Sequence, residues 1–230
     1  MIELKNISVR HAGGATALDS VSAQIGANCA VLGANGAGKT TLLWAIAGLL
    51  PLSEGEIFLD GVRVEKRNAE KIRKKATLVF QNPDDQLFFP TVGEDVAFGC
   101  ANRGLSAEES ERETDALLAD FGIAHLKNRR TDRLSDGEKK RAAVCAALAC
   151  RPEILLLDEP SALLDPKSKR ETAELLKKIP ARIVLTTHDL DFAAKICPRA
   201  AVLKNGKLAA FGEIGEILAD TRLLLDCGLA

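Results

Sequence analysis

Gly33-Ala34-Asn35-Gly36-Ala37-Gly38-Lys39-Thr40 carries the strongest architectural signal in the chain. Its spacing, Gly-x-x-x-x-Gly-Lys-Thr, is that of a loop that wraps phosphate. Ala30-Val31-Leu32 before it reads as a strand, and Thr40 to Gly48 after it reads as a buried helix. The glycines permit a tight loop whose backbone N–H groups converge on an anion. The helix that opens there adds the positive end of its dipole at the same point. Lys39 reaches the outer phosphates, and the Thr40 hydroxyl suits Mg²⁺. The nucleotide-contacting set read from this stretch is Gly33, Asn35, Gly36, Ala37, Gly38, Lys39, Thr40 and Thr41.

A phosphate loop alone names no reaction. Ile154-Leu155-Leu156-Leu157-Asp158-Glu159 supplies a partner for it, an apolar strand that ends in two acids. Asp158 is placed to hold Mg²⁺ through water, and Glu159 to polarise an attacking water as general base. These acids lie too far beyond Lys39 for a small GTPase, and no Asn-Lys-x-Asp guanine reader is present. Adenine is therefore the expected base, and ATP with Mg²⁺ the expected cofactors.

Short apolar runs alternate with helical stretches along the rest of the chain, the pattern of a mostly parallel sheet covered by helices. Ile154 to Leu157 is a continuous apolar run, as in a strand buried on both faces. Arg182 to Thr187, rich in β-branched residues, reads as another strand. Ala200 to Leu203 and Lys207 to Phe211 flank Asn205-Gly206, a hairpin signal. From 82 to 151 the texture is helical, with Ser106-Ala107-Glu108-Glu109 at capping-box spacing and Gly122 as a stop. The predicted organisation is one domain over 1–230, with an α/β core from 1–81 and 152–230 and a helical subdomain from 82–151. Arg63 to Lys75 mixes Lys and Arg with Glu65 and Glu70, which reads as a solvated face.

The 230 residues carry a net charge of −1, which leaves no field to hold a nucleic-acid backbone. No nucleic-acid partner is expected. No uninterrupted apolar run is long enough to span a bilayer, and Met1 to Lys5 lacks the basic and apolar regions of a signal peptide. The six cysteines have no Cys-x-x-Cys spacing and read as small buried hydrophobes in a reducing compartment. The expected location is cytoplasmic.

With these elements in place, nearly the whole chain resembles the ATP-binding cassette family. Leu134-Ser135-Asp136-Gly137-Glu138 is similar to the family signature, usually Leu-Ser-Gly-Gly-Gln, and precedes the acidic strand. The resemblance implies a P-loop α/β cassette fold with an N-terminal antiparallel β portion and an inserted helical subdomain. It implies that Ser135 and Gly137 close over ATP held by a second ATPase chain, either another copy or a related paralogue. Phe80-Gln81 resembles the glutamine loop, which implies Gln81 as a ligand of magnesium and water. Ser161 to Asp165 resembles the loop joining the two sites, with Asp165 its usual acid. His188 in Thr186-Thr187-His188-Asp189 resembles the switch histidine, implying a grip on the γ-phosphate and the attacking water.

A narrower likeness lies in Phe80-Gln81-Asn82-Pro83-Asp84-Asp85-Gln86-Leu87-Phe88, then Pro90-Thr91-Val92 and Glu94-Asp95-Val96-Ala97-Phe98-Gly99. With Glu138-Lys139-Lys140-Arg141, it resembles the cobalt/nickel and energy-coupling-factor importer ATPases. Such ATPases pair and drive a transmembrane coupling subunit, which carries a substrate-capturing membrane subunit for a metal ion or vitamin. That implies a peripheral position on the inner face of the cell membrane. Phe88 and Phe89 beside Asp84 and Asp85 suit docking of a partner helix with a basic end.

Two positions depart from the family pattern. Asp136 replaces the first signature glycine and brings an acid toward a triphosphate site. The aromatic residue that stacks on adenine is missing, and the chain has no tyrosine. His11 stands in the matching place, as an adenine contact or as a surface residue. Trp44 on the helix after the phosphate loop reads as core. The reading is ATP hydrolysis coupled to import; the alternative is a nucleotide-gated dimerisation module with little hydrolysis.

Overall fold

The computed structural model describes residues 1–11 and 13–229. Two sheets organise them. The first joins β1 (Ile2–Arg10), β2 (Thr16–Ile25), β4 (Glu54–Leu59) and β5 (Val62–Arg63) in the order β2-β1-β4-β5, with every pairing antiparallel. The second contains β3 (Cys29–Leu32), β6 (Ala76–Val79), β7 (Ile154–Asp158), β8 (Arg182–Thr187), β9 (Arg199–Lys204) and β10 (Lys207–Glu213), in the order β10-β9-β3-β8-β7-β6. Its pairings are parallel except β9 with β10, the hairpin that turns at Asn205-Gly206.

Burial explains the strand signals. All of β3 and β7 is buried, as expected of central parallel strands covered on both faces. Between the two sheets lies α1 (Lys39–Ile46), whose Leu42, Leu43 and Ile46 pack with Ile2, Ile7, Ile57 and Leu59 of the antiparallel sheet. Trp44 on that helix is half-buried and meets Phe80 edge-on, with ring centroids 6.1 Å apart. The opposite face of the parallel sheet packs on helices. These include α3 (Val92–Asn102), α4 (Ala107–Asp120) and α5 (Asp136–Leu148), which fall between β6 and β7 in the chain.

Each of these three helices begins with a complete capping box: Thr91 with Glu94, Ser106 with Glu109, and Ser135 with Glu138. Such boxes satisfy orphan N–H groups and fix the start of each helix. The remaining helices are α2 (Ala69–Lys75), α6 (Pro166–Lys177), α7 (Leu190–Ile196), α8 (Ile214–Ala219) and α9 (Thr221–Asp226). Five of the six cysteines are buried and all six are free thiols. No helix among the described residues is long and apolar enough to cross a membrane.

Strand order positions the site. β3, β8 and β7 are neighbours, and their register sets Leu32 beside Thr187 and Asp158 beside Thr186. The phosphate loop, His188 and the two acids follow directly from the carboxyl ends of these strands. They therefore meet at one edge of the sheet, where loops of open α/β sheets gather ligands.

Candidate active site

The loop after β3 is shaped by close backbone approach. A Cβ on Gly33 would lie 2.6 Å from the Leu203 carbonyl oxygen. Gly38 has φ 102, and a Cβ there would lie 2.6 Å from the Ala17 carbonyl oxygen. Side chains are excluded at both positions. The turn of the β9–β10 hairpin braces the loop, since Gly206 donates its N–H to the Ala37 carbonyl at 3.0 Å. Unlike α3, α4 and α5, α1 has no side chain capping its first turn. Its leading N–H groups are left for an anion.

Lys39 is 6 % exposed, and its Nζ donates to the carbonyls of Gly33 at 2.9 Å and Ala34 at 3.2 Å. The same Nζ pairs with Glu159 Oε1 at 3.3 Å. Thr40 Oγ1 donates to Asp158 Oδ1 at 3.1 Å, and Thr186 Oγ1 donates to the same oxygen at 2.6 Å. The peptide N–H of Glu159 donates to Thr186 Oγ1 at 2.9 Å. One threonine hydroxyl thus orients both acids of the strand end.

Glu159 is 6 % exposed and sits at φ 45, a left-handed conformation uncommon for glutamate. Strain of this kind concentrates at functional positions. His188 Nδ1 lies 3.2 Å from Glu159 Oε2, but without hydrogen-bond alignment, so that buried oxygen receives no donor. The carboxylate is gripped on one oxygen by Lys39 and keeps the other open.

These groups line a cleft of about 520 Å³. Lys39, Thr40, Glu159 and His188 form its chemical end, with Asn35, Gly36, Gly38 and Thr41 along the loop. Gln81 enters from the segment after β6. His11, Thr16 and Ala17 line the far side, and His11 is exposed there. Ala37 is buried and belongs to the packing of the loop.

Ser135, Gly137 and Asp165 do not reach this cleft. Ser135 caps α5, donating its hydroxyl to Glu138 Oε2 at 2.8 Å. The backbone and side-chain hydrogen bonds from Ser135 hold the Glu138 carboxyl below the usual range. Gly137 faces the loop after Glu159, where a Cβ would stand 3.7 Å from Leu164. Asp165 caps α6, accepting from the Lys167 and Ser168 amides at 2.9 and 3.2 Å. Its hydrogen bond with the Ser168 hydroxyl lowers its pKa. Asp136 is exposed in the first turn of α5.

Two residues of the site have roles that their motifs do not assign. Thr186 carries the hydrogen bonds of Asp158 and Glu159, and its only sequence signal is its place two residues before His188. Lys140 is buried with its Nζ on the carbonyl oxygens of Glu159 and Pro160 at 3.3 and 3.5 Å, and on that of Ala162.

The exposed aromatic surface lies apart from the cleft. Phe88, Phe89 and Phe98 cluster with centroid separations of 4.9 to 5.7 Å. Phe88 is 70 % exposed, and Phe89 is half-buried, so neither belongs to the core. Buried Asp95 holds the two in place, its Oδ1 accepting from the Phe88 and Phe89 amides at 3.2 and 3.3 Å. Asp84 pairs with Lys139 of α5 at 2.6 Å.

Comparison with known proteins gives a match to the ABC transporter family over residues 18–162. The energy-coupling factor transporter ATP-binding protein EcfA of Methanothermobacter thermautotrophicus is 41 % identical over 231 residues, covering 97 % of this chain and 74 % of that protein. The structure of cbiO1 from Clostridium perfringens, part of the ABC transporter complex cbiONQ, matches with a TM-score of 0.86 at 34 % identity, over 99 % of this chain and 94 % of that one. The ATP-binding cassette MJ0796, a dimer in a post-hydrolysis state bound to ADP and Pi, matches with a TM-score of 0.86 at 28 % identity, over 93 % of this chain and 99 % of that one. The family match spans the phosphate loop, the signature and both strand-end acids, and the relatives align along nearly the full length. The chain belongs to the ABC transporter family, as an ATPase subunit whose ATP hydrolysis is coupled to transport.

Proposed function

We propose that this ATPase powers an importer of a transition-metal ion or a vitamin, through a membrane coupling subunit that carries a substrate-capturing subunit. The observation that carries the catalytic part is Glu159, strained, gripped by Lys39 at 3.3 Å, and open on the oxygen beside His188. In this reading the phosphate loop and Lys39 hold the ATP phosphates. Glu159 takes the proton of a water as its oxygen attacks the γ-phosphorus. The bond from that phosphorus to the bridging oxygen breaks, and ADP leaves with the electron pair. His188 holds the γ-phosphate and the water in line. His11 lies against the adenine.

Thr40, Asp158 and Gln81 would hold Mg²⁺. The hydroxyl and carboxylate of the first two are hard oxygen donors 3.1 Å apart. Among the described residues no cluster of three or more His, Cys, Asp or Glu side chains could hold a metal by itself. That suits an ion that keeps water and phosphate oxygens in its shell. When bound, the ion neutralises charge on the transferring phosphoryl group.

Ser135, Gly137 and Asp165 face a second ATPase chain in this reading, which explains why they sit outside this chain's own cleft. MJ0796 is dimeric in its solved structure. Attachment to the membrane is peripheral and proceeds through the partner, with the Phe88, Phe89 and Phe98 surface as the docking face. Support for an importer comes from the Phe80 to Gly99 segment and the likeness to EcfA and cbiO1. The test is uptake of labelled cobalt, nickel and vitamins in cells expressing the chain with its membrane partners. Uptake of one of these solutes should disappear with Glu159→Gln, and uptake of all of them unchanged by that variant would refute the proposal. In parallel, Phe88→Asp should prevent co-purification with the coupling subunit and leave ATP binding intact.

A further inference from the structure

Lys140 is a cation in the interior whose ammonium donates only to backbone carbonyls among the described residues. It lies one turn into α5, the helix capped by Ser135. Its ammonium has three N–H donors. All three carbonyl oxygens around it belong to the loop after β7, those of Glu159 at 3.3 Å, Pro160 at 3.5 Å, and Ala162. Burial pushes the ammonium down to about 8, against the pull of the Asp136 and Glu159 carboxylates and with the push of Lys169. An apolar side chain would fill the same space without that desolvation cost. A buried cation kept there points to the carbonyls it organises.

The loop needs organising. Glu159 at φ 45 and Leu163 at φ 63 are both non-glycine residues in the left-handed region. Such conformations persist only where the surroundings over-determine them. Glu159 is pinned on its amide side by Thr186 at 2.9 Å and on its carbonyl side by Lys140 at 3.3 Å. Gly137 approaches the same loop at Leu164, so the start of α5 and the loop already abut.

We propose that Lys140 is a positioning residue for hydrolysis, tying the peptide of Glu159 to the helix that begins at Ser135, so that the seating of that helix sets where the Glu159 carboxylate lies. Signature and general base are then one mechanical unit within a chain, although they serve two different nucleotides in a closed pair. Contact of Ser135 with a nucleotide on the partner chain would be felt at this chain's own water. The inference rests on Glu159 as the base.

The test compares wild type with Lys140→Met, which removes the donors, and Lys140→Arg, which keeps a cationic donor. Steady-state hydrolysis, ATP binding by equilibrium displacement, and amide hydrogen exchange are measured on the full chain. Lys140→Met should lower kcat by about 10- to 100-fold, the effect of a misplaced reacting group, while KM and the dissociation constant for ATP change by less than about threefold. Exchange at the Ala162 amide, which donates to the Glu159 carbonyl at 3.1 Å, should quicken while the amides of β7 stay protected. Lys140→Arg should recover most of the lost kcat. A Met variant with wild-type kcat overturns the inference, and so does a loss confined to ATP affinity, or protection lost throughout the sheet. Glu159→Gln runs alongside: if it hydrolyses ATP normally, the reading of the base fails. If it is inactive and Lys140→Met is not, only this inference fails.

Discussion

Asp136→Gly should make the ATP-dependent pair close at lower ATP while making the separate chain less stable. In the isolated chain Asp136 is an exposed acid in the first turn of α5, beside a complete Ser135–Glu138 capping box. An acid there interacts favourably with the helix N-terminus, by about 0.3–1 kcal/mol at an exposed site. Replacing it by glycine loses that and adds backbone freedom, so unfolding free energy should fall by about 1 kcal/mol. In the proposed closed pair the same carboxylate would face a triphosphate held by the partner. A like charge at about 6 Å costs roughly 3 kcal/mol at an effective dielectric of about 20. Screening over a Debye length of about 8 Å leaves on the order of 1 kcal/mol, or about fivefold in the ATP concentration at half-dimerisation. The two effects have opposite signs, which separates them from a general loosening of the fold. The assay is dimer formation against ATP by sedimentation in the Glu159→Gln background, with and without Asp136→Gly, alongside urea unfolding of each chain. Equal ATP midpoints would refute the placement of Asp136 near the phosphate.

Lys39→Ala should raise the dissociation constant for ATP by about tenfold or more, since charge-assisted phosphate contacts are lost, and equilibrium binding checks this. Gly38→Ala should both destabilise the chain by about 2 kcal/mol or more and abolish ATP binding, because φ is 102 and the new Cβ meets the Ala17 carbonyl at 2.6 Å. Thermal unfolding and nucleotide binding on the same sample test it. For Lys140, the folded-state value of about 8 lies below the ordinary 10.5, so the native state binds fewer protons than the unfolded state between these values. The destabilising contribution is full below pH 8 and is relieved as pH rises toward 10.5, so wild type should gain on the order of 1–3 kcal/mol relative to Lys140→Met across that window. Denaturant unfolding of both proteins at several pH values reads the difference.

The sheet and the phosphate loop were legible because local signals and tertiary demands coincide there. β7 is apolar at every position before its acids and is buried at every position, so its pattern carries its place. The capping box of Ser106 and Glu109 lies within four successive residues and needs no partner from elsewhere in the chain; those at Thr91 and Ser135 have the same local form and emerge with the structure. What stayed hidden depends on contacts between segments far apart. Lys140 stands in the run Glu138-Lys139-Lys140-Arg141, and only the fold shows that Lys139 reaches Asp84 while Lys140 turns inward to the carbonyls. Thr186 reads as a β-branched strand residue until the register sets it beside Asp158. Trp44 is half-buried where its place on the helix after the phosphate loop suggested core, because it packs edge-on against Phe80 at the margin of the core.

Hydrolysis and binding of ATP by the wild-type chain and by Glu159→Gln, with the membrane partner present, decide whether Glu159 is the general base. Glutamine keeps the shape of the side chain but cannot accept the proton of the attacking water. Hydrolysis should fall by about two orders of magnitude or more while the dissociation constant for ATP stays within about threefold of wild type. Turnover by Glu159→Gln close to that of wild type would exclude Glu159 as the base.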